Sequence, residues 1–164
     1  MNLKNLNVLI VEDNAPMRRI LFAVLQALGV GQVFQCDSGA KALQLLRHER
    51  PDLIISDWQM APMDGIEMTE LIRNDPRNPA RLVPIILMTG YSSHDKVVAA
   101  RDRGVTEFLV KPFSAEALAK RIAHVIKAPR DFVAAPAYQG PDRRRRPTDG
   151  YKGPDRRQDD YRGF

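Results

Sequence analysis

Residues 53–57 read Leu-Ile-Ile-Ser-Asp, an apolar run ending on a carboxylate, and the stretch continues as WQMAPMDG to residue 65. Apolar residues in succession, without polar alternation, mark a strand covered on both faces, as in a parallel sheet. Working outward, four more runs have the same build: Val8–Val11, Val33–Cys36, Pro84–Met88 and Phe108–Val110. Helical spacing fills the intervals. Ile20, Leu21, Val24, Leu25 and Leu28 form one apolar stripe, stopped by Gly29. Ala42, Leu43, Leu45 and Leu46 form a second, with Asp37-Ser38 as caps, and Ile66, Met68, Leu71 and Ile72 a third. Val97–Ala100 give a weaker fourth, and Leu118, Ile122, Val125 and Ile126 a fifth behind Ser114 as N-cap. Five strands alternating with five helices predict a doubly wound α/β domain, a parallel sheet with helices on both faces.

The chain of 164 residues, 44% hydrophobic and 27% charged, has room for one such domain and a remainder. No run is long enough for a membrane span, and the start, MNLKNLNVLIVED, reaches Glu12 and Asp13 too soon for a secretory signal. The lone Cys36 can form no internal disulfide and is expected to be a buried thiol; together these features predict a cytoplasmic protein. Charge is uneven: residues 1–127 carry 16 Lys/Arg against 14 Asp/Glu, residues 128–164 carry 9 against 6. The first part, 1–128, is read as the folded domain. Residues 129–164 are rich in Pro, Gly, Arg and Asp and repeat Tyr-x-Gly-Pro-Asp-Arg-Arg from Tyr138 and again from Tyr151. With little apolar surface to offset the ordering entropy, this stretch is predicted to be a disordered tail.

In open α/β sheets, ligands sit outside the carboxyl ends of the strands, where strand order reverses. Glu12-Asp13, Asp57, Thr89 and Lys111 all follow or end predicted strands, so four strands deliver them to one rim. Clustered carboxylates suit a hard cation such as Mg²⁺; without one they would repel each other. A carboxylate can also attack phosphorus to give an aspartyl phosphate, and a lysine and a hydroxyl can steady the transferring oxygens.

These residues, with SDWQMAPMDG and the closing FLVKPF, resemble the response-regulator receiver family over about residues 5–127, most of all its stand-alone chemotaxis type. The resemblance implies the flavodoxin-like strand order 2-1-3-4-5. It makes Asp57 the phosphoacceptor, served by a histidine kinase or a histidine phosphotransfer protein. Mg²⁺ would be held by Asp13 and Asp57, by Glu12 through water, and by the backbone carbonyl of Gln59. Lys111 would pair with phosphoryl oxygens, and Thr89 would bond one and shift. Phe108 would be the switch aromatic, rotating inward, and the Lys111–Pro112 bond would be cis. The kinase would meet Asn14–Arg18, and an unidentified target the face of Lys96–Ala100, Phe108 and Ala115–Ala119. The sequence departs from the family where Ala61 separates Met60 from Pro62, and where Gly90 follows Thr89. Gln59 and Tyr91 stand where the family sets phosphoryl lifetime.

The reading is therefore a signalling module rather than an enzyme. Phosphatases of the haloacid-dehalogenase type need a second Asp two residues after the nucleophile on the first strand, where this chain has Glu12-Asp13-Asn14-Ala15. Trp58 is read as a packing residue, and His48, His94 and His124 as ordinary helix residues without metal-ligand spacing. The alternative is a regulator that binds nucleic acid or a partner through the Arg-rich tail. Asp beside each Arg-Arg pair weakens the field that a nucleic acid would feel, which ranks it second.

Overall fold

In the computed structural model, which describes residues 3–90 and 94–142, each predicted apolar run is a strand of one parallel sheet. The order along the chain is β1 (Asn7–Val11), α1 (Ala15–Ala27), β2 (Gln32–Cys36), α2 (Gly39–Leu45) and β3 (Leu53–Asp57). It continues with α3 (Gly65–Asn74), β4 (Ile85–Thr89), α4 (His94–Arg101), β5 (Glu107–Val110) and α5 (Ala115–Lys127). The sheet runs β2-β1-β3-β4-β5, so order reverses at β1 and the crevice opens beyond the carboxyl ends of β1 and β3.

Alternation along the strands divides the core. Val8, Ile10, Leu53, Ile55, Ile86 and Met88 face α1 and α5, meeting Leu21, Leu25, Leu118 and Ile122. Leu9, Val11, Ile54 and Ile85 face the opposite side, with Ala42, Leu46, Met68 and Ile72. Burying each Leu or Ile so completely contributes about 2 kcal/mol. β3 and β4 are buried at every position, which explains their lack of polar alternation.

Side-chain oxygens set the helix starts. Asn14 accepts from the Met17 amide at 2.9 Å, Asp64 from Glu67 at 2.8 Å, and Ser114 from Ala117 at 3.1 Å. Two residues placed on inward stripes turn out otherwise: Ile20 is 55% and Leu71 46% exposed. On α1 the inward line is Met17, Leu21, Val24 and Leu25, and Ile20 is turned about 100° from Leu21. On α3 it is Ile66, Met68, Thr69, Ile72 and Arg73, which leaves Leu71 outside in the same way.

The disordered tail expected from residue 129 is corrected for its first part. Phe132–Ala135 (β6) and Tyr138–Pro141 (β7) pair antiparallel, Phe132 opposite Pro141 and Ala135 opposite Tyr138. This hairpin packs on the end of α3 and on the connection between α4 and β5. Tyr138 is buried there, and its hydroxyl donates to the Pro141 carbonyl at 2.6 Å. Beneath lies Arg73, 1% exposed, donating to the carbonyls of Gly104 and Arg81. Arg81 stands over the Phe132 ring at 5.1 Å and donates to the Gln139 side chain. A short polar segment is thus ordered by one aromatic anchor and satisfied polar groups, which composition alone understates. Arg143–Arg146, the repeat from Tyr151 and Tyr91 lie outside the described residues, as do the disorder and nucleic-acid binding expected of that stretch. The same holds for the His94 and Lys96 side chains.

Candidate functional site

The rim residues are brought together by strand register. β1 and β3 pair Val11 with Ser56, β3 and β4 pair Asp57 with Met88, and β4 and β5 pair Thr89 with Val110. Glu12 and Lys111, one step past those pairs, and Asp13, two steps past, therefore share one edge with Asp57 and Thr89.

The backbone holds this edge firmly. The Lys111 amide donates to the Thr89 carbonyl at 2.7 Å, and the Trp58 amide to the Met88 carbonyl at 2.9 Å. Gly65, the first residue of α3, leaves room for the Asp57 carbonyl, which a side chain there would strike. The loop folds back as the Gly65 amide donates to the Trp58 carbonyl at 2.9 Å. The Lys111–Pro112 bond is cis as expected, and Ala61–Pro62 is cis as well.

Glu12, Asp13 and Asp57 each place a carboxylate oxygen within 4.8 Å of the others; Glu12 and Asp57 are buried and Asp13 exposed. Lys111 Nζ lies 2.9 Å from Asp57 and 3.3 Å from Glu12, bridging two of the three. Burial, then the charge of Asp57, holds the Glu12 carboxyl above its usual range. Burial pulls the Lys111 ammonium down, but the hydrogen bond and charge of Asp57, then those of Glu12, outweigh it and leave the group raised. The cluster is thus overloaded with negative charge, and its donors are all hard carboxylate oxygens. This donor set fits a hard divalent cation.

Thr89 is buried at the end of β4. Gln59 is exposed, two residues past Asp57. Phe108 does not hang outward: it is 9% exposed, packed with Ile66, Leu87, Ala100 and Val105, with Trp58 and Val97 at the margin. A phenylalanine carries no hydroxyl to draw it to water, so the apolar niche holds it. Trp58 is a packing residue here, half-buried on that cluster. Cys36 is buried and its thiol raised by burial.

Two contributors were not read from the sequence. Arg18 donates to the Glu12 carbonyl at 2.6 Å, tying α1 to the rim; a helix arginine gives no sign of a backbone partner six residues away. Glu107, 2% exposed, faces Arg121 at 3.3 Å, His124 at 3.7 Å and Arg130 at 3.9 Å, fastening α5 and the hairpin lead to β5. An acidic residue opening an apolar run hinted at it, but its partners are remote in sequence.

The model of the response regulator receiver domain matches residues 8–123. The chemotaxis protein CheY of Pseudomonas aeruginosa is 32% identical over 122 residues, spanning 74% of this chain and 97% of that protein. Among solved structures, the chemotaxis response regulator CheY4 of Vibrio cholerae superposes with a TM-score of 0.68 at 32% identity, over 74% of this chain and 98% of that one. The receiver domain of a sensor histidine kinase from Pseudomonas aeruginosa gives 0.67 at 28% identity, over 76% of this chain and 99% of that one, and holds a magnesium ion in its active-site cleft. With its fold, the acid-lined rim and a match across nearly all of the parallel-sheet domain, the chain belongs to the response-regulator receiver family.

Proposed function

We propose that the chain is a phospho-accepting switch of a two-component system or phosphorelay, with Asp57 as its acceptor. The observation that carries this is the Asp57 carboxylate at the carboxyl end of β3, 2.9 Å from Lys111 Nζ and clustered with Glu12 and Asp13. A phosphohistidine on a histidine kinase or phosphotransfer protein is the donor. A carboxylate oxygen of Asp57 bonds to phosphorus as the P–N bond breaks, and the imidazole leaves with the electron pair. Mg²⁺, held by Glu12, Asp13, Asp57 and the Gln59 carbonyl, would supply positive charge facing the phosphoryl oxygens.

The protein's own groups do the rest. Lys111 exchanges part of its pairing with Asp57 and Glu12 for a phosphoryl oxygen, and the Thr89 hydroxyl donates to another. The Lys111 amide already bonds the Thr89 carbonyl, so movement at Thr89 is transmitted to β5. Phe108, on β5 and packed against Ala100 of α4, is the switch aromatic that follows this movement. The target meets Lys96–Ala100, Phe108 and Ala115–Ala119, and the kinase the start of α1. No helix among the described residues is long and apolar enough to cross a membrane, and a cytoplasmic setting suits a partner of this kind.

Acetyl phosphate with Mg²⁺ should add one phosphoryl of mass and change Trp58 fluorescence, and Asp57→Ala should abolish both. Phosphorylation that persists in that variant, or none under any Mg²⁺ condition, refutes the assignment.

A further inference from the structure

The repeated Tyr-x-Gly-Pro-Asp has a visible purpose in its first copy. Tyr138 is buried and closes onto the Pro141 carbonyl. At Gly140 a Cβ would stand 2.7 Å from the Gly104 Cα, so only glycine passes there. Gly104 in turn has φ +94°, and a Cβ on it would lie 2.9 Å from the Gln139 carbonyl. The amide of Asp142 donates to the Asp131 carbonyl at 2.6 Å, ending the ladder. Two fixed residues of the motif are therefore fitted to one site beside β6 and Gly104: the buried Tyr138, and Gly140, where only glycine passes.

The second copy, Tyr151-Lys152-Gly153-Pro154-Asp155, carries every one of those residues and differs only at the variable position. The residues before it lack the apolar side chains of β6. Where Phe132, Val133 and Ala134 build β6, the equivalent positions hold Arg145, Arg146 and Pro147. The second copy thus has the residues of β7 without a β6, and the β6 of this chain is the strand it fits.

We propose that Tyr151–Asp155 is a second occupant of the β7 position and exchanges with Tyr138–Asp142 within one chain. The intervening residues 136–150 easily span a neighbouring strand position, and such a linker gives an effective concentration on the order of millimolar, favouring exchange within the chain over exchange between chains. The variable position sets the preference. Gln139 accepts from Arg81 and donates to the Ala135 carbonyl at 2.9 Å, whereas Lys152 there would bring an ammonium against the Arg81 guanidinium. The first copy is therefore the resting occupant. Gly104 lies in the turn between α4 and β5, four residues before Phe108, so occupancy of the site bears on the face that carries the output.

The test uses the full chain with a nitroxide on Gln158→Cys; Cys36 is buried and escapes labelling. Paramagnetic relaxation of the Gly104 amide is compared with that in the same chain carrying Gln139→Lys and Lys152→Gln together. The swap transfers the Gln139 contacts to the second copy and leaves the tyrosine and glycine of both copies in place, so it should raise Gly104 relaxation several-fold, while amides of β3 and β4 stay in place. Adding Tyr151→Ala should abolish the rise. A Gly104 resonance that moves without added relaxation means the hairpin has only loosened, and overturns the proposal. So does a rise that appears in mixtures of spin-labelled and separately isotope-labelled chains, which would place the exchange between molecules.

Discussion

Replacing Asp13 by Asn should stabilise the protein without Mg²⁺ and destabilise it relative to the parent with Mg²⁺. The Asp13 carboxylate lies within 4.8 Å of those of Glu12 and Asp57. Each such pair costs ~3–4 kcal/mol at an effective dielectric near 20, but only ~1 kcal/mol in bulk water. Asp13 is exposed, so the water-like value governs, and Lys111, 2.9 Å from Asp57, returns part of it. Relief of about 1 kcal/mol remains, or roughly 3–6 °C for a domain of this size. With Mg²⁺ at a hundred times its Kd, the parent gains ~2.7 kcal/mol by mass action. The variant, short of one directly ligating charge, should gain under about 1 kcal/mol at the same concentration. Thermal unfolding by circular dichroism at pH 7, with and without millimolar MgCl₂, should show the two curves changing order. An Asp13→Asn protein that melts lower without Mg²⁺, or keeps the full gain with it, refutes the account of a charge-overloaded rim.

Phe108→Ala should still accept a phosphoryl group but lose about 3 kcal/mol of stability, by emptying the niche among Ile66, Leu87, Ala100 and Val105; urea unfolding and intact mass after acetyl phosphate report the two effects. It should also weaken binding to the target, and unchanged affinity would remove Phe108 from the output. The raised Glu12 carboxyl binds a proton more readily folded than unfolded, so its contribution to stability without Mg²⁺ falls as pH rises through the window above its ordinary value of 4.5. Raised Lys111 acts in the opposite sense to a depressed acid: its stabilisation is complete below 10.5 and lost as pH passes its higher folded value. Glu12→Gln should therefore remove this loss of stability on raising the pH above about 4.5 in a profile measured without Mg²⁺; an unchanged profile would assign the loss to other groups. Gly104→Ala should cost about 2 kcal/mol, since φ +94° is unfavourable for alanine and the new Cβ would meet Arg73 and Gln139. Hydrogen exchange should show the loss concentrated in 132–141; uniform loss across the sheet would mean that the hairpin is not a separate docking unit.

The parallel sheet was legible because its central strands are buried on both faces and must be continuously apolar, as Leu53–Ile55 and Ile85–Met88 are. Chemistry at strand ends was legible for a related reason. Polar residues immediately after such runs, Glu12, Asp13, Asp57 and Lys111, have few places to go but the rim. Helix faces were less so. Ile20 and Leu71 each sit beside a buried leucine or isoleucine, and apolar identity cannot say which neighbour turns inward when the stripe is broad. The state of Phe108 could not be read either, because an aromatic one residue from a buried acid suits both a core position and a surface switch.

The hairpin shows what kind of information composition omits. It is held by the buried Tyr138, the Arg81–Gln139 bond and the close approach of Gly140 to Gly104, and it lies over a buried cation whose own partners are elsewhere. Burial pulls Arg73 down to about 10, still far above neutral pH, so the guanidinium is charged inside the protein. Its polar partners are carbonyls of Gly104 and Arg81 and the hydroxyl of Thr106. Leaving those acceptors unmatched would cost about 1–3 kcal/mol each. Arg73 is one of several arginines in the chain and looks like any solvated helix residue. Only the meeting of α3, the turn at Gly104 and a strand beginning at Tyr138 makes it a structural centre. The segment that covers it is ordered by contacts equally remote in sequence: Tyr138 is buried, Gln139 accepts from Arg81, and Gly140 is narrow enough to lie against Gly104.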